Sequence, residues 1–165
     1  MKKTISKVLA LMMCLIMAGA LSACGSKDKV YKVSTEPTYP PFDTTNKDGD
    51  IVGFDMDLMK AIAKDQGFKV EFESLEFDAL IPALKSDSTD IVIAGMNVTP
   101  ERAKQVAFSD PYYKTGIVVL VKKDNTTITG WDSFTSGSGL KVAAQTGTSQ
   151  ADIAEQLKKE GKISK

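Results

Sequence analysis

Residues Ala94 to Tyr113 read AGMNVTPERAKQVAFSDPYY, and the first half of that run sets the architecture. It puts a cation in the opening turn of a helix. The free N–H groups of a first turn already carry partial positive charge, so an arginine there is mildly unfavourable unless an anion lies close by. Thr99 suits the N-cap, Pro100 the first helical position with its preset φ, and Glu101 the acid-favouring second, which leaves Arg102 third. Upstream, Asp90 to Ala94 is an apolar run of strand length, and Gly95 lets backbone approach a ligand closely. A strand end, an open turn and a helix start thus converge on an anion. A guanidinium fork fits a carboxylate bidentately, which makes a carboxylate the natural partner. The competing reading pairs Arg102 with Glu101 or Asp110 on a solvated face, where such pairs contribute little.

Two further strands and two helices precede this run. Val30 to Thr35 alternates and is β-branched. Asp55 to Gln66 carries Met56, Leu58, Met59, Ile62 and Ala63 at helical spacing, with Gly67 as its C-cap. Asp55 and Asp57 at its start read as a capping residue and a dipole-favoured acid. Lys69 to Leu75 alternates as a strand, and Phe77 to Lys85 reads as a second amphipathic helix. Strand, helix, strand, helix, strand implies a parallel sheet with right-handed crossovers, in which ligands sit beyond the carboxyl ends of the strands. The loops there are Glu36 to Phe42, Leu75 to Phe77 and Gly95 to Arg102. Three prolines keep the first of these out of a helix or a central strand. It carries Glu36 and two aromatics, of which Tyr39 is open to stacking or to covering the core edge and Phe42 reads as core edge. Asn46 to Asp50 is a turn closing a hairpin with Ile51 to Phe54.

Downstream of Tyr113, Gly116 to Val121 reads as a long apolar strand, and the polar run from Lys122 marks a domain crossing. Trp131 and Phe134 fall in a short element, Leu140 to Ala144 reads as a strand, and a helix is expected from about Gln150 to Lys159. Between the last two, Gln145-Thr146-Gly147-Thr148-Ser149 offers backbone N–H groups and the Thr148 hydroxyl to an anion. It lacks the Gly-Lys-Thr ending of a phosphate loop.

At the other end, Lys2, Lys3 and Lys7 precede the uncharged apolar run Val8 to Leu21. That run is short for a membrane span and reads as a signal peptide over 1–23. Without its three lysines, 18 basic residues face 21 acidic ones, a net charge of −3 that gives nucleic acid or an anionic surface no purchase. The chain contains no histidine, and Cys14 lies in the signal segment, so Cys24 is the sole mature cysteine. Imidazole metal sites, histidine acid/base chemistry and cysteine or Ser-His nucleophiles are excluded, and neither a cofactor nor a metal is expected.

Five motifs in order then carry a resemblance: YPPF at Tyr39, VGFDMDL at Val52, DALIPAL at Asp78, GMNVTPERAKQVAFSDPYY at Gly95 and VAAQTGTS at Val142. Together they resemble the amino-acid-binding lipoproteins of ABC importers over the mature chain to about Leu157. Leu21-Ser22-Ala23-Cys24 resembles the bacterial lipobox; the alternative is an ordinary secretory signal with an incidental cysteine. The resemblance implies an α/β, two-lobed, type II periplasmic-binding-protein-like fold. Its divisions would be a lipidated tether over 24–29, a first lobe over 30–121 and a partial second lobe over 122–165. It implies a monomer held at the outer face of the membrane, or in the periplasm, by diacylglycerol and palmitate on Cys24. Its partners would be an L-amino acid and an ABC permease. Carried over by position, Arg102 and the turn of Thr146 and Thr148 hold the ligand carboxylate, and the Gly95 carbonyl and Asn97 accept from its ammonium. Tyr39 and Phe77 sandwich its side chain, and Glu36 and Gln145 meet its far end, which favours a basic or amide side chain. Ser149 stands where several relatives have glycine. The family's second lobe also continues beyond the point matched by Lys165 and supplies an aspartate for the ammonium, so a non-binding remnant or fragment is one alternative. Another is an enzyme resembling secreted cyclohexadienyl dehydratases, with Glu36 as the available cleft carboxylate.

Overall fold

The computed structural model describes residues 29–165; the signal segment and Cys24 lie outside the described residues. Strand β1 (Val30–Thr35) is the middle of a three-stranded parallel sheet. It pairs in register with β5 (Lys69–Ser74) on one side, Val33 opposite Phe72, and with β6 (Ile91–Val92) on the other, Val33 opposite Ile91. Each parallel step requires a crossover. The first is helix α1 (Phe54–Gln66), which ends as its sequence dictates on Gly67 at φ 72. The second is less regular than a single helix over Phe77 to Lys85: a 3-10 turn (Phe77–Ala79) leads into α2 (Leu80–Lys85). Pro82 lacks an N–H and sits in the first turn of α2, where no intrahelical partner is needed.

Val33, Met56, Met59 and Ile93 form the core, with Leu58, Phe68, Val70 and Phe72 packed around them. Val33 and Met56 are wholly buried, and each such side chain contributes roughly 1.5–3 kcal/mol. Between β1 and α1 a small antiparallel sheet is inserted, β2 (Thr38–Tyr39), β3 (Asp43–Thr45) and β4 (Ile51–Val52), in that order. Its turn is held by Asn46, whose Oδ1 accepts from the amides of Asp48 and Asp50, both at 2.9 Å. Gly53 follows at φ 135, and a Cβ there would overlap the Phe42 carbonyl, so only glycine brings α1 this close to the proline loop.

That approach corrects the expected capping. Gly53 is the N-cap, and the first amides of α1 are satisfied by loop carbonyls, Phe54 N–H to Pro41 O at 3.0 Å and Asp55 N–H to Phe42 O at 2.9 Å. Asp55 is not a cap; it is fully buried.

Beyond β6, helix α3 (Pro100–Ala103) begins as its sequence requires, the Thr99 hydroxyl accepting from the Arg102 amide at 3.2 Å. The expected strand over Gly116 to Val121 does not form, and Val118 and Leu120 are 78% and 93% exposed. An apolar, β-branched run becomes a strand by pairing, and no neighbouring strand accepts it among the described residues. Leu140 to Ala144 likewise forms no strand and is tied to the C-terminal residues, Val142 N–H to Lys165 O and Ser164 N–H to Leu140 O, both 2.7 Å. The Trp131 segment is a 3-10 turn (Trp131–Ser133), and helix α4 (Ser149–Lys159) follows, with Lys158 and Lys159 where its dipole favours cations.

Candidate functional site

The loops after β1, β5 and β6 emerge at the carboxyl edge of the parallel sheet, and the turn before α4 meets them. Arg102 is at their centre. It is 7% exposed, its guanidinium lies 5.5 Å from the centre of the Phe77 ring, and its bonds run in two directions. Nη1 donates to the Asn97 carbonyl at 2.7 Å and to Asn97 Oδ1 at 2.8 Å, while Nη2 donates to the Gly147 carbonyl at 2.9 Å. All three acceptors are neutral. Nε–H and the second Nη2–H have no hydrogen-bond partner among the described residues. The ion pair with Glu101 or Asp110 on a solvated face is therefore not what this arginine makes. Burial acts against its charge, and the attraction of Asp152 offsets only part of that, so its affinity for the proton is lowered. A guanidinium held this way, with no ion pair among the described residues and an edge free of protein acceptors, has the donor geometry that a carboxylate fits.

Beside it, Gly95 adopts φ +54, and a Cβ there would stand 3.1 Å from Cδ1 of Tyr39. The Tyr39 ring therefore lies against the Gly95 backbone. It stacks on Phe42 with centroids 5.3 Å apart and remains 47% exposed. Phe42, half-buried, also meets Tyr113 edge-on at 4.9 Å and Phe54 at 6.0 Å, so its ring packs among exposed aromatics of the rim and not against the residues of the main core. The Gly95 carbonyl accepts no hydrogen bond from the described residues, so it is available to an ammonium. Its amide is not free: it donates to Oδ2 of Asp55 at 2.8 Å.

The far wall is the turn before α4. Gln145 Nε2 donates to Glu36 Oε1 at 2.7 Å, bridging the turn and the loop after β1. Thr146 is exposed at the tip of the turn. Gly147 presses so close to the 3-10 turn that a Cβ on it would lie 2.8 Å from Cβ of Asp78. The Thr148 hydroxyl, expected to face an anion, is the cap of α4: it donates to the Gln145 carbonyl at 2.7 Å and accepts from the Ala151 amide at 3.2 Å. Asn97 is similarly engaged, its Oδ1 receiving both Arg102 and the Ser149 hydroxyl, the latter at 2.7 Å. Two open grooves, of about 460 and 620 Å³, lie elsewhere; the first touches this wall only at Gln145 and Thr148 and is otherwise mostly apolar. Neither offers a buried charge.

The model of the bacterial extracellular solute-binding proteins, family 3, matches residues 31–165. The chain belongs to that family. The solute-binding chain is 40% identical over 162 residues to the arginine-binding extracellular protein ArtP of Bacillus subtilis (strain 168), covering 93% of itself and 61% of that relative. Among solved structures it is similar to an ancestral arginine-binding protein bound to arginine, with 45% identity and a TM-score of 0.76 over 81% of this chain and 58% of the other. It is also similar to AncCDT-1, an ancestral amino-acid-binding protein and precursor of cyclohexadienyl dehydratase, with 44% identity and a TM-score of 0.73 over 81% and 59%. This solute-binding chain thus spans about three fifths of the length of these relatives. Its α/β fold is that of the two-lobed periplasmic binding proteins, the first lobe nearly complete and the second partial.

In this family member, every rim residue singled out from sequence lies in one of the four converging segments. Sequence reasoning missed three features: the Gly147 carbonyl as a partner of Arg102, the Ser149 hydroxyl on Asn97, and Asp55 beneath Gly95. Asp55 follows the same Gly-Phe that opens the helix, so its position gave the expected cap; its partners are too remote in sequence to be seen locally.

Proposed function

We propose that this chain belongs to a binding protein that takes up a basic or amide-bearing L-amino acid outside the cytoplasm and delivers it to an ABC permease, performing no chemistry itself. The observation that carries this reading is Arg102, buried without a counter-ion among the described residues and bonded to the Gly147 carbonyl of the opposite wall. In this reading the ligand carboxylate meets the open edge of the guanidinium, and Asn97 and Ser149 orient that guanidinium. The ammonium meets the Gly95 carbonyl. Glu36, accepting from Gln145 on one oxygen, keeps its other oxygen for a guanidinium, ammonium or amide at the end of the side chain. The division is a first lobe over 30–121 and part of a second over 122–165. The arginine-binding relatives favour a cationic ligand.

The deciding experiment is calorimetric titration of the full-length protein with arginine, lysine, histidine, glutamine, leucine and glutamate. The basic or amide ligands bind tightest, and Arg102→Ala lowers affinity by roughly hundreds to thousands of fold, because breaking a buried charged pair costs about 3–5 kcal/mol. Tightest binding of leucine or glutamate, or unchanged affinity in Arg102→Ala, contradicts the assignment. Turnover of prephenate would replace it with the dehydratase reading. Anchoring through Cys24, the further part of this proposal, fails if detergent partitioning is the same in Cys24→Ser.

A further inference from the structure

Asp55 is wholly buried in the first turn of α1, beneath the binding rim. One of its oxygens, Oδ2, accepts two hydrogen bonds, from the Gly95 amide at 2.8 Å and from the Tyr112 hydroxyl at 3.0 Å. The other, Oδ1, has no partner among the described residues. Its own amide is held by the Phe42 carbonyl. One carboxylate therefore gathers the proline loop, the turn after β6 and the segment leading out of the first lobe. A carboxylate removed from water at a site that α1 does not need for capping is a destabilising choice unless a different role compensates it.

We propose that Asp55 is a positioning residue for the ligand ammonium, clamping the Gly95 amide and the Tyr112 hydroxyl on one oxygen and so fixing the direction of the Gly95 carbonyl. Gly95, at φ +54, is the residue with most freedom to swing. Its amide is anchored from below by Asp55, the Tyr39 ring closes one side, and its carbonyl is left without a donor. Without the anchor the same carbonyl samples many directions, and an ammonium must select one of them. Both hydrogen bonds fall on Oδ2, so an amide in its place can keep them on its one acceptor oxygen and turn its donating end to the unpartnered Oδ1 position, whereas alanine removes the acceptor altogether. This inference rests on the proposal that the Gly95 carbonyl receives the ammonium.

The test compares L-arginine with its des-amino analogue, which keeps the carboxylate and guanidinium and lacks the α-ammonium, by calorimetry on the full-length protein. In Asp55→Ala, arginine affinity falls by about tenfold to a hundredfold while the analogue changes less than about twofold, and Asp55→Asn, which retains the acceptor oxygen, loses less than alanine does. Tyr112→Phe, which keeps the buried carboxylate, shows the same selectivity with a smaller loss, and it carries the test should Asp55→Ala not fold. Asp57→Asn, exposed in the same turn, changes neither constant. Equal loss for both ligands, or no loss for arginine, overturns the positioning role. A second readout, the exchange rate of the Gly95 amide without ligand, rises in Asp55→Ala. If wild-type protein binds neither ligand, the function proposed above fails; an unchanged Gly95 exchange rate overturns the clamp itself.

Discussion

Glu36 and Gln145 stand 109 residues apart in the chain and are joined by a 2.7 Å hydrogen bond, Nε2 donating to Oε1. The loop after β1 and the turn before α4 thereby share a polar contact, which the proposed function assigns to the end of the ligand side chain. In that position a carboxylate facing an aliphatic side chain would be left unsatisfied, at a cost of about 1–3 kcal/mol or more. Glu36→Gln keeps the contact and removes the charge. It is expected to shift preference from arginine and lysine toward glutamine, with the total affinity for its best ligand within about tenfold of wild type. A competition titration of arginine against glutamine checks this, and an unchanged ratio contradicts the role given to Glu36.

Gly147 combines φ +79 with the close approach to Asp78, so a side chain there meets both backbone strain and overlap. Gly147→Ala should force the turn away from the 3-10 element and withdraw its carbonyl from Arg102. Ligand affinity is expected to fall by about tenfold or more, with the melting temperature of the first lobe little altered because its core lies elsewhere. Differential scanning calorimetry beside a binding isotherm separates the two; full affinity in the alanine variant contradicts the contact.

Asp43 is wholly buried, accepts from the Thr35 hydroxyl, and leaves Oδ1 unpartnered among the described residues. Burial pushes its carboxyl up to about 6 from 3.8, with nearby Asp55 adding to the rise and the Thr35 bond opposing it. The folded state therefore holds this proton more tightly than the unfolded one. The stability it contributes is fully present below about pH 3.8 and is lost as pH rises through about 6. Asp43→Asn is neutral, retains an acceptor for Thr35, and should exceed wild type in melting temperature by a margin that grows from pH 4.5 to 7.5. A margin that shrinks over that range contradicts it.

Much of the scaffold was legible in local pattern. Val30 to Thr35 and Lys69 to Ser74 announce themselves by alternation, and the helix ending at Gly67 by its period and its glycine. Arg102 was legible because it is locally out of place. Features set by distant partners were not. Gly116 to Val121 shows the capacity to pair, but its sequence does not say whether a neighbour is there to pair with. An aspartate at a helix start has the same local chemistry whether it caps or is buried, and what distinguishes Asp55 is Gly95 and Tyr112, 40 and 57 residues away. Thr148 was misread in the opposite direction, its hydroxyl serving the helix it begins.

The position of β1 in the middle of its sheet bears on the timing of assembly. A chain emerging amino end first delivers Val33 early, yet its two flanking ladders arrive only with Phe72 and then Ile91. Such nonlocal pairing is slow, because the intervening loop must close before any contact rewards it. Until Phe72 has followed, the first strand to appear is a sticky edge on both sides, and until Ile91 follows it remains one on the second side. The order of the segments thus keeps an emerging polypeptide pliable over its leading half, and the same delay makes that half the part most exposed to aggregation.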